Sequence, residues 1–132
     1  MQVRSYGSVL VTVSDRDKDE VLPLVRRFYQ LGFNILATKG TADFLKAHGI
    51  RTHTVRKISD GSDEIPDAIR QGYIAYVINT RDIRSTDAST DGAQIRALAT
   101  ENGVSLFTAL DTVRILMDVL EETTITVSLI NE

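Results

Sequence analysis

Short apolar runs alternate along this chain with amphipathic stretches of helical period, and the alternation predicts five strands separated by helices. Residues 8–13 (SVLVTV) are β-branched and almost wholly apolar, as in a strand buried on both faces. Val21, Leu22, Leu24, Val25, Phe28 and Leu31 then recur at helical spacing until Gly32 stops the helix. Residues 34–37 read as a second strand. After the turn Thr38-Lys39-Gly40-Thr41, a helix carries Phe44, Leu45 and Ala47 as far as His48-Gly49. Residues 52–55 make a weak third strand. The loop Ser59-Asp60-Gly61-Ser62 leads into a short helix with Ile65, Ala68 and Ile69, where Pro66 suits a first turn whose N–H has no helical partner. Residues 75–78 (AYVI) are a fourth buried strand, and 79–91 form a long polar loop. A helix over 93–102 turns Ile95, Leu98 and Ala99 inward, Gly103 breaks it, and 104–107 is the fifth strand. Thr108-Ala109-Leu110-Asp111, a capping box with Asp in place of Glu, opens a last helix carrying Leu110, Val113, Leu116, Met117 and Leu120.

Strands alternating with helices imply βαβ crossovers, hence an α/β three-layer sandwich with a five-stranded parallel sheet between helical layers. The organisation expected is an N-terminal tail over 1–6, one domain over 7–122, and an extension over 123–132. Residues 123–130 (TTITVSLI) are β-prone and follow the last helical pattern, so they read as an edge strand or, the preferred reading, a loosely held extension. The length of 132 residues suits one domain, and 42% apolar with 25% charged residues is ordinary globular usage. No apolar run approaches the ~20 residues that cross a bilayer, and the N-terminus lacks a signal-peptide layout. The absence of cysteine excludes disulfides and thiolate metal sites, and a cytoplasmic location is expected. A net charge of −3 argues against coating nucleic acid.

Ligands of open parallel sheets bind beyond the carboxyl ends of the strands, where helix N-termini offer free N–H groups to anions. Along that rim the order of elements places Lys18, then Thr38-Lys39-Gly40-Thr41, Arg56-Lys57, Asn79-Thr80-Arg81 and Arg84. Each piece alone has a plain structural explanation. Gly40 supplies backbone freedom and Thr41 an N-cap; Lys18 pairs with Asp15 or Asp19; Arg56-Lys57 is a solvated pair; Asn79 caps a turn. Convergence of four loops on one edge favours a phosphate-bearing ligand. Catalytic equipment is sparser. Asp15, Asp17, Asp82, Asp87 and Asp91 lie near the rim, but no Ser/His/Asp arrangement, GxGxxG or Walker lysine motif is present. His48, at a helix end, is placed to meet the last carbonyls, His53 reads as a structural side chain, and two isolated histidines are poor support for zinc.

The segments VLVTVSDRDKDEVLPLVRRFYQLGFNILATKGTADFLKAHGI, Val55-Arg56-Lys57, AYVINT and DGAQIRALA, in that order, resemble the methylglyoxal-synthase-like domain over residues 7–122. More narrowly they are similar to the C-terminal allosteric domain of the carbamoyl-phosphate synthase large subunit, with ATKGTA matching its Ala-Thr-x-Gly-Thr-Ala turn. The resemblance implies a sensor of UMP, IMP or phosphoribosyl pyrophosphate, with the effector phosphate against the Thr-x-Gly-Thr turn and neighbouring lysines. Carried over position by position, it points to Thr12, Lys18, Thr38, Thr41, Lys57 and Asn79, with Lys39, Gly40, Thr80 and Arg81 beside them. Lys39 stands where some relatives carry His, and Arg81 where Thr is common. The implied partners are the rest of the large subunit and the glutaminase small subunit. The implied parent reaction uses glutamine, bicarbonate and ATP with Mg or Mn, and the domain itself is expected to need no cofactor or metal and to catalyse nothing.

Two alternatives stand beside that expectation. Methylglyoxal synthase itself, a phosphate-eliminating lyase, belongs to the same superfamily. Its base falls here on Ser62, between Asp60 and Asp63, its strand-one His is Ser14, and Ala88-Ser89-Thr90 holds no His, although Asp91 is retained. A response-regulator receiver would use Asp15 and Asp17 as its acidic pair. However, strand three ends in Arg56-Lys57 rather than Asp, and strand five in Phe107-Thr108 without Lys. The polar loop 79–91 is expected to close over the phosphate.

Overall fold

The computed structural model describes residues 6–80 and 91–130. Five parallel strands, β1 (Ser8–Thr12), β2 (Asn34–Thr38), β3 (Thr52–Val55), β4 (Ile74–Asn79) and β5 (Ser105–Phe107), pair in the order β3-β2-β1-β4-β5. The helices are α1 (Lys18–Gln30), α2 (Lys39–Ala47), α3 (Glu64–Arg70), α4 (Asp91–Glu101) and α5 (Leu110–Ile130). The three-layer α/β sandwich read from periodicity is the fold observed. Receivers use the doubly wound order 2-1-3-4-5, so the strand order separates this chain from them.

Alternation along each strand sends successive side chains into two cores. Val9 and Val11 of β1, Ile35 and Ala37 of β2, and Tyr76 and Ile78 of β4 face α1, α2 and α5. Leu10 and Val77 face α3 and α4, packing on Ile65, Ile69, Ile95 and Ala99. The first core centres on rings. Phe28 meets Phe33 edge-on at 5.2 Å between centroids and Tyr76 at 5.8 Å, and Tyr76 continues to Phe107 at 6.1 Å. The crossover from β3 to β4 carries the chain past β1, so β1 and β4 become neighbours at the topological switch point. Their last residues, Thr12 and Asn79, are register partners.

Four local expectations change. Asn79 is the last residue of β4 rather than the start of a loop. Helix α2 begins at Lys39 with Thr38 at the N-cap position, so Thr41 is not the cap but the third helical residue, 4% exposed. Gly40 is not among the glycines of positive φ. A Cβ there would make only an ordinary contact, 3.7 Å from the Lys18 ammonium, so neither backbone freedom nor crowding accounts for the glycine. Finally, α5 runs on to Ile130, so residues 123–130 are helical rather than an edge strand. Extending an existing helix forms one hydrogen bond per residue fixed, and that gain overrides β-propensity, a weak prior. Residues 81–90, which include Arg81, Arg84 and most of the proposed closing loop, lie outside the described residues. Among the described residues no helix is long and apolar enough to cross a membrane.

Helix α5 is tied to α1 by a fork. Arg27 Nε and Nη2 donate to the two carboxylate oxygens of Glu121 at 2.8 Å each, and Nη2 also reaches Asp118 at 3.0 Å. Hydrogen bonds from Arg27, then its charge, hold the Glu121 carboxyl below its usual range. A depressed carboxylate stabilises the fold above its unfolded pKa and loses that contribution as pH falls through the folded value. The stability gap between wild type and Arg27→Met should therefore be full at neutral pH, below about 1 kcal/mol because the pair is half exposed. It should close below about pH 4. Urea unfolding across that range checks it.

Candidate functional site

A cavity of about 340 Å³ opens at the carboxyl ends of the strands, lined by Thr12, Thr38, Lys57, Ser59, Asp91, Gly92 and Ile95. Strand alternation explains the set. Thr12 lies on the same face of β1 as Leu10, Thr38 on the same face of β2 as Leu36, and all of these face the α3–α4 side. Lys57 follows β3 on the loop that covers that face. The amino ends of α2 and α4 open beside these residues and turn the positive end of each helix toward them.

The cations at the rim are not equivalent. Lys57 is exposed, and its ammonium has no hydrogen-bond or ion-pair partner among the described residues. Lys18 is mostly buried and bonded to Asp15 at 2.6 Å. That hydrogen bond, with the ammonium charge, holds the Asp15 carboxyl below its ordinary value. Lys39 points along its own helix, 83% exposed and 3.0 Å from Asp43. Arg56 is solvated, its nearest carboxylate being Glu64 at 3.9 Å. Of the cations in the described part of the rim, only Lys57 lines the cavity, while Lys18 stands behind Gly40.

The polar residues form a chain. Asn79, 3% exposed, donates from Nδ2 to Thr12 Oγ1 at 2.6 Å and accepts on Oδ1 from Arg96 Nη1 at 2.7 Å. Thr80 Oγ1 accepts from the Ser14 backbone N–H at 3.0 Å, which fixes the β1 loop against β4. Asp91, first residue of α4, accepts the Ser59 N–H on Oδ1 at 3.0 Å, and its buried Oδ2 has no partner among the described residues. The wall therefore carries donors, one cation and one orphaned acceptor.

Of the residues expected from sequence, Thr12, Thr38 and Lys57 line the cavity. Asn79 and Thr80 stand beside Thr12, the Lys18 ammonium reaches Gly40 at the start of α2, Thr41 is a buried residue of the same turn, and Lys39 faces solvent. Gly92 and Arg96 escaped sequence reasoning. Gly92 falls between the loop read over 79–91 and the helix read over 93–102, so nothing marked it in sequence; the structure starts α4 at Asp91 and places it in the first turn. Here a Cβ on Gly92 would come within 3.1 Å of Arg96 Nη1. His48 and His53, the chain's only histidines, do not line the cavity. His48 Nδ1 lies 2.9 Å from the Phe44 carbonyl, at the helix end as expected.

A larger depression of about 700 Å³ sits at the opposite end of the sheet, among Tyr29, Asn34, Arg51 and His53. It adjoins the carboxyl end of α1, the negative end of that helix, which disfavours an anion.

This doubly wound sheet, with a cavity at its switch point lined by Thr12, Thr38, Lys57 and Asp91, defines the class. A family model described as the MGS-like domain matches residues 20–108, and the chain belongs to that family. The matched span includes Thr38, Lys57, Asn79, Asp91 and Arg96, whereas Thr12 and Lys18 precede it. Among solved structures, methylglyoxal synthase from Elizabethkingia anophelis NUHP1 superposes with a TM-score of 0.71 at 18% identity. That superposition covers 87% of this chain and 79% of the synthase. ForH superposes with a TM-score of 0.66 at 18% identity, covering 89% of this chain and 81% of its own. At that identity the likeness is one of fold.

Proposed function

We propose that this chain binds a phosphorylated small molecule at the switch-point cavity and leaves it intact. More narrowly, we propose that it is the nucleotide-effector domain of a carbamoyl-phosphate synthase large subunit. One observation carries the binding reading: Lys57, Thr12 and Thr38 converge with the amino ends of α2 and α4 on a single cavity. In this reading Lys57 supplies charge to the phosphoryl group, the hydroxyls of Thr12 and Thr38 supply neutral donors, and the α2 backbone N–H groups complete the cradle. Lys18 adds charge from behind Gly40. A volume near 340 Å³ is at the lower end of the ~300–1,000 Å³ of ligand pockets, which suits a mononucleotide or smaller ester.

A sensor acts by binding one state of its host better than another. The host in this reading would be the remainder of the large subunit with its glutaminase subunit, a cytoplasmic, ATP-dependent ligase using glutamine and Mg or Mn. The effector would be UMP, IMP or phosphoribosyl pyrophosphate, and this domain would need no cofactor of its own.

A second reading, elimination of phosphate from a triose ester, is favoured by Asp91, a carboxylate at the cavity with an unpartnered oxygen. Elimination needs a base for the carbon-bound proton and acid assistance for the carbonyl and leaving group. Neither histidine reaches the cavity to share that work. Calorimetric titration with UMP, IMP and phosphoribosyl pyrophosphate should show saturable binding to at least one. A parallel assay should show no inorganic phosphate released from dihydroxyacetone phosphate. Steady release abolished by Asp91→Asn would replace the sensor with the lyase.

A further inference from the structure

Asn79 and Thr12 end adjacent strands, and the Asn79 carboxamide is held at both ends by groups whose chemistry leaves no choice. The Arg96 guanidinium has donors only, so at 2.7 Å it meets the carboxamide oxygen. That orientation turns Nδ2 toward Thr12 Oγ1 at 2.6 Å, and an amide N–H can only donate. One lone pair of the Thr12 hydroxyl is thereby occupied. Its single proton must leave in another direction, and Thr12 lines the cavity. Were the amide reversed, Oδ1 would take the hydroxyl proton and a threonine lone pair would face the ligand.

We infer that Arg96, which does not line the cavity, is a positioning residue: acting through Asn79, it fixes the Thr12 hydroxyl as a donor toward an anionic ligand oxygen. The inference rests on the anion-binding reading of the cavity. Gly92 favours the arrangement, because a Cβ there would crowd the guanidinium at 3.1 Å, while meeting the Asn79 amide atoms only at ordinary contact distances of 3.5 and 3.6 Å. The device also links the ligand site to α4, because Arg96 is the α4 residue that orients Asn79, at the end of the central strand pair.

The test is a double-mutant cycle on the 132-residue chain, with inorganic phosphate as probe and calorimetry as readout. Arg96→Met should weaken phosphate binding about tenfold, the loss of one well-aimed hydrogen bond to a charged group. Arg96→Lys, which keeps a donor, should restore most of it. In a Thr12→Val background, Arg96→Met should add less than about twofold, since the hydroxyl it orients is gone. An equal loss in both backgrounds would mean that Arg96 acts by charge alone and would overturn the inference. Failure of the wild type to bind phosphate would instead remove the anion-binding reading. The relay has its own ligand-free readout, the Asn79 side-chain amide protons in NMR. They should exchange slowly in the wild type, and exchange as fast as solvent-exposed amides would show that the relay does not exist, even if Arg96→Met fails to fold.

Discussion

Phe28→Ala is expected to lower the unfolding free energy by about 3–5 kcal/mol, the range for truncating a buried aromatic. The side chain is fully buried and touches two other rings, Phe33 edge-on and Tyr76 tilted. Removing it opens a void between α1 and the sheet, lined by groups with no freedom to collapse, because β1 and β4 behind them are central strands. Such a loss is a large share of the ~5–15 kcal/mol that holds a domain together. Chemical denaturation of the purified variant measures it. A change under 1 kcal/mol would mean that α1 is not seated as described. Ligand affinity at saturating folding conditions should change little, since Phe28 belongs to the core on the other face of the sheet from the cavity.

Lys57→Ala is expected to weaken binding of UMP or inorganic phosphate by about 1.5–3 kcal/mol, roughly tenfold to a hundredfold or more. Its ammonium is unpaired among the described residues and so is available without first breaking another contact. Lys39→Ala is the matched control. That ammonium is solvated and already bonded to Asp43, so its removal should change affinity by less than about threefold, through screened charge alone. Equal losses in the two variants would place the anion elsewhere on the rim. Thr41→Ala is the less informative choice, because a 4% exposed residue under α2 reports on packing as well as on binding.

Much of this could be seen in the order of residues. Continuous β-branched runs such as VLVTV and AYVI mark strands covered on both faces, and helical spacing between them forces parallel crossovers. Gly32, Gly49 and Gly103 closed elements where expected, each with the positive φ that a side chain would resist. The TTITVSLI segment misled because local propensity favours strand there, while a helix already propagating from Leu110 supplies its own hydrogen bonds. The Thr38–Thr41 turn misled differently. A glycine between threonines reads as a flexible loop, yet it lies in the first turn of a helix that begins at Lys39.

Hydrophobic period and chain order, both local properties, therefore determined by themselves the layers of this protein, its parallel sheet and the edge on which cations gather. Which cation is free, which is spent on Asp15 or Asp43, and that Arg96 speaks to Thr12 through Asn79 were decided only in three dimensions. The reason is physical. A hydrogen bond or ion pair depends on separations of a few ångströms between atoms 17 or 67 positions apart in sequence, and spacing along the chain carries no information about those distances until the strands have paired.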